Sequence, residues 1–137
     1  MNPILRNILA VIVGIVVCML INGGIISLSA SIIPPPEGMN VNDMESFKAH
    51  AHLLQPKHFI MPFLAHALGS LIGAFVAAMI AASRKMTFAL VIGVVHLLGG
   101  IAAAFLIPAP VWFIALDLIV AYIPMAYLGG LIATRKQ

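Results

Sequence analysis

Charge is what this sequence has least of. Four acidic and seven basic side chains are spread over 137 residues, so only 8% of the chain is charged and 63% is hydrophobic. Soluble domains carry about 25% charged residues, and a soluble fold of this length has too little interior to hide so much apolar surface. The surrounding solvent is therefore lipid. A single cysteine, Cys18, excludes an internal disulfide. There is no glycine-rich phosphate loop, no nucleophile–base spacing and no metalloprotease signature. The reading is accordingly non-enzymatic, without a cofactor, and with lipid rather than nucleic acid around the chain. The net charge of +3 is read by position, because basic residues beside spans set orientation.

Four apolar stretches are present, at about 8–33, 59–83, 87–107 and 111–133. Each is long enough for a hydrocarbon core of about 30 Å, which takes roughly 20 helical residues. The first also has features of a signal peptide, with Arg6, an apolar run and "SAS", but the run is long for that role. The expected fold is an all-α membrane protein: a four-transmembrane-helix bundle forming a single membrane domain over 1–137. Arg6, Arg84, Lys85, Arg135 and Lys136 fall on one side of such a bundle. That side is expected to be cytoplasmic, with both termini on it. Trp112 and Phe113 then reach the outer interface.

The connections carry their own signals. "SRKM" and "PAP" are tight turns, whereas residues 34–58 form a longer outer loop. "PPPEG" is stiff and extended, because proline fixes its own φ and restricts the residue before it. "NDMESFKAHAHLL" predicts a short amphipathic helix capped by Asn42 or Asp43, with Met44, Phe47, Ala51 and Leu54 as its apolar stripe. It is expected to lie flat as an interfacial helix or as a lid over the bundle. His50, His52 and His58 are in this loop. A zinc or copper site there is disfavoured, since positions i and i+2 of a helix point in roughly opposite directions.

The halves of the chain show a faint internal likeness. The first and third spans carry Gly23-Gly24 and Gly99-Gly100, and the second and fourth end in "ASRK" and "ATRK". Aligning those endings puts His66 opposite Asp117, as in a parallel repeat about an axis normal to the membrane.

The polar groups within the spans are the candidate site. Asp117 lies in "WFIALDLIVAYIP", and an Asp at the centre of a span costs about 2.5–3.5 kcal/mol, so it is seldom kept without pairing, protonation or water. At 1.5 Å per residue, Asp117 and His66 fall roughly 10 Å below the outer boundary, and His96 and Asn22 roughly 15 Å below it. These four residues form the expected intramembrane polar site, with His66 as partner of Asp117. Pro124 frees the carbonyl of Val120 and predicts a kink on the same helix. Ala65, Gly69, Gly73 and Ala77 form a small-xxx-small packing face on the second span, usable within the bundle or in an oligomer. His66 and His96 as haem ligands are disfavoured by their different depths.

"SIIPPPEG", "PKHFIMPFLAHALGSLIGAF" and "PAPVWFIALDL…AYIPMAYLGG" resemble a group of small four-span membrane proteins from bacteria such as Bacteroidetes. The resemblance runs over nearly the whole chain. It implies a bacterial inner-membrane location and brings no assigned activity, so no residue roles follow from it. The expected function is a small transporter- or channel-like unit with a polar site in the outer half of the bundle, working as a homo-oligomer. The alternative is an accessory or assembly subunit of a larger membrane complex, with purely structural polar groups.

Overall fold

The computed structural model describes residues 1–136. It is all-helical, with no strand among the described residues. The order is α1 (Pro3–Ile32), α2 (Met44–His50), a 3-10 turn (Ala51–Leu53), a second 3-10 turn (Pro56–Phe59), α3 (Ile60–Ile80), α4 (Lys85–Leu106), α5 (Val111–Val120) and α6 (Ile123–Arg135). Four segments are long and apolar enough to cross a membrane: Pro3–Ile32, Pro56–Ile80, Lys85–Leu106 and Val111–Arg135. The first helix begins five residues before the expected boundary, with Asn2 accepting from the Ile4 amide at its start and a proline in its first turn. The fourth span is two helices, interrupted at Ala121–Tyr122 just before Pro124.

α3 is the central helix, packed on α1, α4 and α6. Its small-residue face is covered by α1 of the same chain. Gly14, Cys18 and Asn22 descend α1 opposite Ala77, Gly73 and Gly69 in antiparallel register. The approach is close: a Cβ at Gly73 would stand 2.6 Å from Cys18 Cβ and 2.8 Å from the Gly14 carbonyl oxygen. Without a hydrophobic force between helices in lipid, such backbone proximity is the main source of association. On the other flank, Gly93 admits Ala126, Gly130 admits Met86 and Ala89, and Gly129 meets the Leu71 carbonyl. The interior is thus built mostly of alanine and glycine. Ala74, Ala77, Ala78, Ala89, Ala126 and Ala133 are fully enclosed.

At the end bearing the termini, α1 is tied to the α3–α4 turn. Arg6 Nε donates to the Ile80 carbonyl at 2.6 Å, and the Ala82 amide donates to Asn7 Oδ1 at 2.8 Å. At the other end Phe59, Trp112 and Phe113 form an aromatic cluster, with ring centroids 4.7–6.0 Å apart.

The first connection departs from one expectation. Asp43 caps α2 by accepting from the Glu45 amide, but α2 has no buried residue, and its chief neighbour is the adjoining 3-10 turn. Of its expected stripe, Met44 is 46% exposed and Phe47 half-buried. The helix also ends at His50, before Ala51 and Leu54 can extend the stripe.

Substitution at Gly73 is the direct check on the α1–α3 contact. Gly73→Leu is expected to lower stability by about 1–3 kcal/mol, as overpacking does. Gly99→Ala, where an added Cβ meets nothing within 4 Å, is expected to stay within about 0.5 kcal/mol of wild type. Unfolding by sodium dodecyl sulfate in mixed micelles measures both, and equal losses would sink the register described above.

Candidate functional site

The polar centre begins with Asp117, on α5 and 5% exposed. Its carboxylate is hydrogen-bonded on both oxygens. His66 Nδ1, from α3, stands 2.7 Å from Oδ1, and the Tyr122 hydroxyl donates to Oδ2 at 2.9 Å. Hydrogen bonds to a charged group contribute about 1.5–3 kcal/mol each, so two of them are of the size needed to offset the insertion cost of an aspartate, about 2.5–3.5 kcal/mol. The contact joins α3 to the fourth span inside an apolar bundle.

The break in the fourth span makes this arrangement reachable. On a continuous helix Tyr122 would lie about 140° around the axis from Asp117, since each residue turns 100°. Instead the ladder stops after the Ala121 amide bonds the Asp117 carbonyl and resumes with Ala126 on Tyr122. Tyr122 adopts φ −110° and ψ −79°, Pro124 brings no N–H, and the ring folds back to the carboxylate. Gly100 completes the device: a Cβ there would run into the Tyr122 hydroxyl.

His96, from α4, is also buried, and its Nδ1 is 2.9 Å from Ser70 Oγ on α3. The rings of His66, His96 and Tyr122 pack on one another. His66 stacks on Tyr122 at 5.4 Å, while His96 stands edge-on to Tyr122 at 5.0 Å and to His66 at 5.9 Å. The depth difference expected from counting residues is bridged by side-chain length. Asn22, from α1, faces the same region, and its Oδ1 is buried without a hydrogen-bond partner. All four residues of the expected polar site are therefore in one neighbourhood. His66 and Asp117 are directly bonded, His96 joins through ring contacts, and Asn22 completes the far wall.

Two members were not anticipated. Tyr122 carried no sequence signal, because its helical position points away from Asp117 until the break is known. Ser70 did carry one: it is four residues after His66, hence on the same face of α3.

These groups line a cavity of about 410 Å³ between α1 and α4, with His66, His96, Tyr122, Asn22 and Cys18 among its walls. The remaining lining is aliphatic. Toward the end bearing the termini the interior closes over, with Ala74, Ala77, Ala78, Ala89, Ile92 and Ala126 packed together. The cavity itself runs along α1 from Ile15 to Ile26 and along α4 from Ile92 to Ile107.

Two of the three loop histidines are engaged elsewhere. His50 Nδ1 bonds the Ser46 carbonyl at 2.7 Å. His58 accepts from the Gln55 amide at Nδ1 and bonds the Pro34 carbonyl through Nε2. Among the described residues no three metal-ligating side chains come together.

Fold and site together define a membrane protein of four apolar spans with a hydrogen-bonded polar centre in one half. No family model, curated protein or solved structure matches the chain.

Tyr122→Phe is expected to cost about 1.5–3 kcal/mol, the range for a hydrogen bond to a charged group. Combined with Asp117→Asn, the loss is expected to be smaller than the sum of the two single losses, because both variants act on one bond. A double-mutant cycle in mixed micelles reads this directly. Strict additivity would mean that the hydroxyl contributes nothing through Asp117.

Proposed function

We propose that this protein is a small transporter-like unit in which the His66–Asp117 pair is the proton- or solute-binding element. The observation that carries the reading is the placement of a fully hydrogen-bonded buried carboxylate beside a cavity lined by both histidines. Groups whose only task is to join helices do not need such a cavity next to them. Intramembrane ionisable residues mark ion and substrate paths by default. A broken span at the site is the other recurrent feature of transporters, and the fourth span has one.

The closed alanine layer favours a carrier over an open channel. The members of that cluster pack directly on one another, so passage through it requires a change in packing that opens the second side. Four spans enclose little volume, and a homo-oligomer would supply the scaffold against which such motion occurs. The basic residues Arg6, Arg84, Lys85, Arg135 and Lys136 all belong to the end bearing the termini. By the positive-inside rule this end is cytoplasmic and the cavity belongs to the outer half. The resemblance to small bacterial four-span proteins agrees with an inner-membrane location.

The alternative, an accessory or assembly subunit, would leave the polar groups structural and seek a partner for the small-residue face. That face is already occupied by α1.

Proton movement separates the two. In proteoliposomes loaded with a pH-sensitive dye, wild-type protein is expected to speed collapse of an imposed pH gradient. Asp117→Asn, checked for native size and helicity, is expected to fall to the rate of protein-free vesicles. Equal rates for wild type and Asp117→Asn would leave the subunit reading standing.

A further inference from the structure

We infer that the cleft between α1 and α4 binds a membrane-dissolved molecule with a neutral hydroxyl head and a hydrocarbon body, admitted sideways from the lipid. The inference rests on the reading of the polar centre as a solute site and names the class of solute.

The position of the cleft sets the route. Its wall residues Met19, Ile26, Val95 and Ile107 are 59%, 42%, 40% and 41% exposed, on a surface that four apolar spans turn toward acyl chains. The opening therefore faces lipid rather than only water. Gly99, also in the wall, has open space where a side chain would stand. At about 410 Å³ the cavity falls within the usual range for small-molecule sites, about 300–1,000 Å³.

The chemistry of the base sets the head group. Asn22 Oδ1 is a buried acceptor with no donor, a state that costs about 1–3 kcal/mol unless something fills it. His66 and His96 each use Nδ1, on Asp117 and Ser70, and the structure shows no protein hydrogen bond at either Nε2. A hydroxyl both donates and accepts, so it can satisfy Asn22 and a histidine nitrogen together. Phosphate and carboxylate heads fit badly, because no lysine or arginine lines the cleft and Asp117 adds negative charge nearby. On either side of the polar groups along the bundle the walls are aliphatic, with Ile15 and Ile92 toward the termini and Ile26 and Ile107 away from them, and suit a hydrocarbon chain.

The test uses a photoreactive long-chain alcohol carrying a diazirine, with the full-length protein in nanodiscs and labelled peptides mapped by mass spectrometry. Labels are expected on the cleft residues of α1 and α4. The methyl ether of the same chain, which lacks the donor, is expected to label the cleft about five- to tenfold less, the effect of one lost hydrogen bond. The fatty acid is expected to label no better than the ether. Gly99→Leu, which fills the cleft from a position with room for a side chain, is expected to abolish the cleft labels, and Asn22→Ala to remove the preference for alcohol over ether. Equal labelling by alcohol and ether in the wild-type protein overturns the inference, and that comparison needs no variant to fold. So does labelling that Gly99→Leu, verified as monodisperse and helical, leaves unchanged. Labelling is read at equilibrium without any flux, so a protein that moves no protons yet selects the alcohol loses the transport reading alone.

Discussion

A carboxylate that enters the hydrocarbon region must be met by donors, and most of what is distinctive in this fold follows from meeting Asp117. His66 comes from α3 and Tyr122 from beyond the break in the fourth span. Neither donor works alone in place. The tyrosine needs the interruption at Ala121–Tyr122 to swing round and the bare Cα of Gly100 to pass. The histidine needs α3 held at the centre of the bundle. The bonding of one buried carboxyl group thus depends on a helix break, a glycine and a central helix held in place.

The packing that holds α3 there is of a different kind. Lipid provides no hydrophobic drive for helix association, so the spans gain contact by bringing backbones together over glycine and alanine. This explains an interior with almost no large side chains, where Tyr122 and Ile92 are the bulkiest fully enclosed residues. The same economy leaves part of the α1–α4 interface unfilled. The α1–α3 contact is close from Gly14 to Asn22, whereas between α1 and α4 the cavity runs from the level of Ile15 and Ile92 to that of Ile26 and Ile107.

This division gives the proposed function its shape. Under that proposal, a cavity closed by an apolar cluster and flanked by the His66–Asp117 pair would form one state of an alternating-access arrangement. The lateral mouth and the unpartnered Asn22 oxygen extend it toward a lipid-soluble hydroxyl compound, for which a water-filled pore is unnecessary.

Much of this was legible in the residues. The four spans follow from apolar length, and the polar layer followed from counting 1.5 Å per residue, which set His66 and Asp117 at one depth. The small-residue stripe of α3 marked a close contact without naming its partner, because glycine records that something approaches and not what. Tyr122 was invisible for a definite reason: a helical wheel assumes an unbroken helix, and the break rotates the one side chain that matters. The short helix at Met44–His50 was legible from its Asp43 cap, but local amphipathicity does not say which surface such a helix meets. By itself, then, the sequence determined the solvent, the number of spans and the depth of each polar group, since these depend on composition and helical rise. Which groups bond, which helix covers the stripe and where the cavity opens were decided only by the tertiary structure. Those depend on rotation and spacing between helices, quantities set by packing against partners distant in the chain.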